Sequence, residues 1–241
     1  MMVGQPLETR ILQRATYPIE IDAPLTREEA AILTSIAPHI VAVGTENIDL
    51  SRPGNHAVGF MGDTPDHLGR CIFCPTHAVG GRTHIYHPDS NTVIDLGKER
   101  TTRFDPDTTC VEWMPQPRQI DHGMPLRPYL PGEPCWIASM RYGGDGMFHL
   151  RIPTRKTTMS GGYAHDMHGT VCPVIDGDVE GIGPGRSGSA VVQRFAGEGY
   201  GFVGGLHGLS TDNRIMFYPI PQELLSKYPR KNDGITTIMV R

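Results

Sequence analysis

From Ala57 onward the chain alternates short apolar runs with polar or glycine- and proline-containing breaks. The first set is Ala57-Val58-Gly59-Phe60-Met61, Cys71-Ile72-Phe73-Cys74, Thr83-His84-Ile85-Tyr86, Thr92-Val93-Ile94 and Cys110-Val111-Glu112-Trp113. Runs this short, spaced by turn residues, are too brief for helices and fit strands in a meander. A second set follows: Trp136 to Met140, Met147 to Leu150, Ala190 to Val192, Gly201 to Val203 and Ile215 to Tyr218. Between the sets, Pro115, Pro117, Pro125, Pro128, Pro131 and Pro134 exclude helix and central strand alike, which predicts an extended linker.

Helical periodicity is confined to the ends. Thr26 precedes Glu28, Glu29, Ala30, Ala31, Ile32, Leu33 and Ile36, with Glu29 three places after Thr26 as a capping box requires. Pro221 opens a short C-terminal helix through Leu225. The expected organisation is therefore an N-terminal extension with one helix over 1–50 and a first β-barrel over 51–114. A proline-rich linker over 115–134 and a second barrel with the C-terminal helix over 135–241 complete it.

Composition agrees with an all-β reading. The 241 residues include Gly 29 and Pro 21, and hydrophobic residues make up 38%. A net charge of -4 gives no global attraction to nucleic acid or to an anionic membrane. No apolar run is long enough to span a bilayer, and residues 1–25 lack the apolar core of a signal peptide. Five scattered cysteines argue against a disulfide framework and for a reducing, cytoplasmic setting, with two bridges plus a free thiol as the alternative.

The chemistry concentrates at Gly185-Arg186-Ser187-Gly188-Ser189, which runs into the apolar strand at Ala190 and is followed by Gly204-Gly205-Leu206-His207-Gly208. A serine between glycines presents a hydroxyl beside free backbone donors. It needs a base, and His77 stands just after the strand Cys71 to Cys74. The base needs an orienting carboxylate. Asp107, leading the strand at Cys110, is the first choice, with Asp105, Asp95 and Asp121 as alternatives.

The order His77, Asp107, Ser187 and the Gly-x-Ser-Gly turn resemble the chymotrypsin-like serine proteases. The chain is similar in particular to the polyprotein-processing proteases of positive-strand RNA viruses. There, Gly188-Ser189 would replace a double glycine, and Gly205-Leu206-His207 would supply the S1 histidine that favours Glu or Gln before the cut. The resemblance implies a chymotrypsin-like double β-barrel, with Gly185 and Ser187 amides as oxyanion hole. His207, Gly208, Leu209 and Ser210 would bind substrate, an extended polyprotein or peptide added as a strand. It implies no cofactor or metal, and the host-cell cytoplasm as location.

Two departures from that family stand out. Arg186 occupies the place where the cellular enzymes carry an aspartate that pairs with a freshly cut N-terminus. Ile182 occupies the place where viral members often carry the Ser or Thr that supports the S1 histidine.

Alternatives from other classes are a zinc site and a binding module. Cys71-x-x-Cys74 and His84-x-x-His87 have zinc-ligand chemistry, but residues three apart on a strand point to opposite faces. A protease-like fold used to bind a peptide, or RNA weakly through Arg151, Arg155 and Lys156, is the other reading.

Overall fold

The computed structural model describes residues 26–45, 56–63, 70–79, 83–87, 92–95, 100–104, 107–113, 124–142, 148–151, 157–179 and 182–225. Two sheets, antiparallel but for one short parallel pairing, dominate the fold. The first holds β1 (Ile40–Thr45), β2 (Ala57–Asp63), β3 (Arg70–Pro75), β4 (Thr83–His87), β5 (Thr92–Asp95), β6 (Arg100–Phe104), β7 (Thr108–Trp113) and β8 (Met124–Pro125). Its order is β5-β4-β1-β2-β3-β7-β6, with β8 alongside β2. The second holds β9 (Cys135–Tyr142), β10 (Phe148–Arg151), β11 (Thr158–His165), β12 (Val171–Asp176), β13 (Ala190–Phe195), β14 (Gly199–Leu209) and β15 (Ile215–Pro219). Its order is β10-β9-β13-β14-β15-β12-β11.

The period of two along each strand divides the apolar residues between separate cores. On β3, Cys71 and Phe73 enter the cluster shared by both sheets, while Ile72 and Cys74 enter one belonging to the first sheet alone. On β13, Ala190 and Val192 face the shared cluster and Val191 faces the core of the second sheet. Phe60 joins the two halves, its ring 5.4 Å from Phe73 and 4.5 Å from Phe202.

The helix Arg27–Ile36 has the expected capping box: the Glu29 amide donates to Thr26 Oγ1 at 3.1 Å, and the Thr26 amide to Glu29 Oε2 at 2.7 Å. Its Ile32, Leu33 and Ile36 are buried in the shared cluster. A 3-10 turn, Ala37–His39, then leads into β1, which lies between β2 and β4. The boundary expected at residue 50 is therefore corrected. Ile40, Val41, Ala42 and Val43 are all buried, on both faces of the strand, so this segment is part of the first sheet rather than a separate extension.

The connector is extended where described, and it is bound at both sides. Met124 and Pro125 pair with Gly62 and Asp63 of β2, Leu126 is fully buried, and the Arg127 amide donates to Phe202 O at 2.8 Å. The short helix Gln222–Leu225 follows Pro221 and buries Leu224. Among the described residues no helix is long and apolar enough to cross a membrane.

Candidate active site

The adjacency of β3 and β7 brings base and carboxylate together. Their register pairs Pro75 with Thr108, so the turn after β3 meets the turn before β7. His77 lies in the 3-10 turn Thr76–Ala78, and Asp107 immediately precedes β7. Asp107 Oδ1 accepts the His77 backbone N–H at 2.9 Å and Oδ2 lies 2.6 Å from His77 Nδ1. The Thr76 amide donates to Asp107 O at 2.9 Å, and Thr76 Oγ1 lies 3.0 Å from Thr109 Oγ1. This bracing fixes the imidazole with Nδ1 toward the carboxylate. Hydrogen bonding to Asp107 raises the His77 pKa above its ordinary value, against partial burial, and the Asp107 charge adds to the rise.

The serine comes from the other sheet. Ser187 Oγ is 3.0 Å from His77 Nε2. Its loop is pinned to both halves: Val58 N–H donates to Ser187 O at 2.8 Å, and Gly188 N–H to Leu206 O at 2.7 Å. Gly188 has φ 81°, and a Cβ there would stand 2.0 Å from Val58 O and 2.5 Å from Pro75 Cδ. Only glycine fits that approach.

Within this loop the Arg186 amide bonds Gly183 O at 3.1 Å and the Ser189 amide bonds Arg186 O at 3.0 Å. The Gly185 and Ser187 amides have no acceptor among the described residues, and Gly185 holds φ 81°. Those are the two donors expected to form the oxyanion hole. Arg186 turns inward and is buried, its Nη1 3.1 Å from Met140 O and 3.3 Å from Ser139 Oγ. Ser189 Oγ donates to the same region, 2.8 Å from Ser139 Oγ.

His207, on β14, has its ring 4.4 Å from that of Tyr218 on β15. Its Nε2 is 3.2 Å from Tyr218 Oη and 3.5 Å from Asp166 Oδ2. Tyr218 O–H donates to Asp166 Oδ2 at 3.4 Å, while Asp166 Oδ1 accepts the His168 and Thr170 amides, each at 2.8 Å. His207 Nδ1 is buried with no partner. Burial holds the His207 pKa below its ordinary value, outweighing the pull of Asp107 and Asp166. Burial acts to raise the Asp166 carboxyl, but the Thr170 and His168 hydrogen bonds outweigh it and hold the carboxyl below the usual range.

Sequence reasoning missed Asp166 and Tyr218. The available signal was Asp166 opening a polar turn two places before His168, an aspartate position suited to capturing its own backbone amides. Ile182 packs on the apolar core of the second sheet, so the support given to His207 comes from Tyr218 and Asp166 instead.

Of the expected substrate strand, Ser210 needs correction. Its N–H donates to Arg214 O at 2.9 Å and its carbonyl accepts from Asn213 at 3.0 Å, so the turn into β15 consumes its main chain. β13 pairs with β14 only as far as Ala190 opposite Gly205, leaving the stretch to Leu209 without that neighbour. Leu209 is exposed there.

Asp105 and Asp121 lie outside the described residues, as does the side chain of Asp95. The same holds for Arg155, Lys156 and the side chains of Arg151, His84 and His87. Cys71 and Cys74 face different cores, and no cluster of three metal-ligating side chains occurs among the described residues. All five cysteines are unpaired and buried; burial pushes the Cys74 thiol up to about 12, with the Asp107 charge adding to it.

This arrangement of two sheets with a histidine and carboxylate on one and a serine on the other has the chymotrypsin-like protease fold. No family model and no curated protein sequence matches the chain. Among solved structures, the active form of the Rv3671c protease from M. tuberculosis is similar at TM-score 0.52 and 16% identity, over 88% of this chain and 88% of that one. The MamO protease domain from Magnetospirillum magneticum has TM-score 0.52 and 14% identity, over 81% and 98%. Tobacco etch virus protease complexed with product has TM-score 0.51 and 14% identity, over 86% and 82%. At such identities the likeness establishes the fold.

Proposed function

We propose that the protein is a serine endopeptidase that cleaves a viral polyprotein after Glu or Gln. The observation that carries this reading is the continuous line Asp107 Oδ2, His77 Nδ1, His77 Nε2, Ser187 Oγ, with separations of 2.6 Å and 3.0 Å either side of the ring. These are hydrogen-bond distances suited to proton transfer in the ground state.

In the first half-reaction Ser187 Oγ attacks the scissile carbonyl carbon and its proton passes to His77 Nε2. The carbonyl oxygen becomes an oxyanion facing the Gly185 and Ser187 amides, whose open donors favour it more than the planar carbonyl. The C–N bond then breaks, the leaving amine takes the proton from His77, and the acyl group stays on Ser187 as an ester. Water repeats the sequence: its proton goes to His77, its oxygen attacks the ester carbon, and Ser187 recovers the proton as the acid leaves. The Asp107 side chain holds the imidazolium through Nδ1.

The viral assignment is supported by the sequence resemblance at Gly188-Ser189 and His207, and the Glu or Gln preference by the half-buried imidazole of His207. Tobacco etch virus protease and the NS6 protease from murine norovirus 1 share the fold. The unpaired cysteines suit action in a reducing compartment such as host cytoplasm. The test is cleavage of a peptide library by the protein beside its Ser187→Ala variant, reading rate and P1 residue. Cutting after Glu or Gln that disappears in the variant is the expected result. Cleavage that persists in the variant, or none by either folded protein, overturns the reading.

A further inference from the structure

We propose that Asp166 sets the selectivity of the S1 pocket, favouring a P1 carboxamide (glutamine) over a P1 carboxylate (glutamate) by holding a fixed negative charge against His207. The inference rests on the endopeptidase reading and narrows its substrate class.

The Asp166 side chain is 3% exposed, sits at the turn between β11 and β12, and reaches His207 together with Tyr218. Its Oδ1 is saturated by two amides and its Oδ2 faces Tyr218 Oη and His207 Nε2. Two amide donors stabilise the ionised form, so this is a carboxylate near neutral pH. The other titratable groups acting on His207 are His168 at the same turn and His77 and Asp107, with the Tyr218 ring tilted at 40° to the imidazole. Asp107 is bonded to His77. Asp166 is thus the carboxylate in contact with His207.

The consequence holds for either protonation state of the imidazole. If His207 is neutral, as its burial favours, an incoming P1 carboxylate meets the Asp166 charge uncompensated. If His207 is protonated, it already pairs with Asp166, and the P1 carboxylate becomes a second anion sharing one cation. A glutamine side chain adds no charge and offers both a donor and an acceptor. A P1 carboxylate brought to the imidazole beside Asp166, at an effective dielectric near 20, is repelled enough to disfavour glutamate by a factor of roughly ten to one hundred.

The experiment uses two peptide libraries randomised around a fixed P1 Gln or P1 Glu. Cleavage is measured with the full chain and its Asp166→Asn variant, and retention is measured on the Ser187→Ala and Ser187→Ala/Asp166→Asn proteins. Asparagine keeps a carbonyl for the His168 and Thr170 amides, so the turn persists while the charge goes. The expected result is a Gln over Glu preference of about tenfold or more in kcat/KM and in retention, falling by about tenfold in the Asp166→Asn forms through a gain on Glu. Damage to the turn alone would lower both substrates together and leave the ratio in place, which overturns the proposal. So does equal or better handling of Glu with Asp166 intact. Absence of cleavage by the wild-type chain sinks the endopeptidase reading, while the retention ratio still decides the role of Asp166.

Discussion

Replacing Gly188 by alanine tests whether the serine loop is wedged between the two sheets. The new methyl would lie 2.0 Å from Val58 O and 2.5 Å from Pro75 Cδ, a backbone oxygen and a ring carbon that cannot rotate away. Relief needs the loop or β2 to retreat by about 1 Å, which stretches the 2.8 Å bond from Val58 N–H to Ser187 O. Overpacking of this kind costs about 1–3 kcal/mol. A left-handed φ of 81° on a residue with a Cβ adds about 1–2 kcal/mol. The sum is about 2–5 kcal/mol of stability, and a displacement of about 1 Å at a nucleophile costs about a hundredfold in kcat. Gly205→Ala is the control: its methyl would meet Gly188 Cα and Phe60 Cε1 at 3.7 Å, ordinary contact distance. Denaturant unfolding and initial rates on a cleaved peptide would be compared. If Gly188→Ala matches Gly205→Ala in both midpoint and kcat, the wedge is not there.

Three further outcomes are expected. Asp107→Asn removes the group that orients His77 and should lower kcat by about 10³–10⁴ with little change in the unfolding midpoint, measured by single-turnover acylation. The acidic limb of kcat/KM against pH should lie above the ordinary histidine range, because the base must be neutral and Asp107 raises its pKa. In Asp107→Asn that limb should fall. The same raised pKa means that the stability from this bond is complete below the unfolded pKa of histidine and is lost as pH rises through the folded one. Arg186→Met leaves Ser139 Oγ and Met140 O without this donor, so a lower unfolding midpoint and a lower kcat are expected, with partial recovery in Arg186→Lys.

The residues with local chemical signatures were legible in the sequence, and those defined by contacts across the fold were not. His77 and Ser187 stand in short motifs, and Asp107 leads an apolar strand; the pairing of β3 with β7 is what makes that position adjacent to His77. β1 escaped notice because all four residues from Ile40 to Val43 are buried, which erases the alternation that marks a half-exposed strand. β6 was missed for the opposite reason, as Thr101, Thr102 and Arg103 are exposed and give no apolar run. β11 carries Gly161 and Gly162 at a register shift, and β12 carries Pro173, both of which read as breakers. Asp166 is one of many polar turn residues until β15 places Tyr218 beside it.

The charge at position 186 changes what holds the loop around Ser187 together. An aspartate there would need a cation, and in the cellular enzymes of this resemblance the cation is a chain terminus released by cleavage. Arg186 carries its own cation inward and spends it on the Met140 carbonyl and the Ser139 hydroxyl, both on β9. Ser189 ties the far side of the same turn to Ser139, and β13, which begins at Ala190, pairs with β9 opposite Ala138. The loop is therefore anchored at its middle and at its exit to one strand of its own sheet. With the Arg186 amide turned back to Gly183 O and the Ser189 amide to Arg186 O, the chain path leaves the Gly185 and Ser187 amides as the open pair. The same buried side chain that departs from the resemblance thus holds the loop carrying Ser187 by interactions within the second sheet.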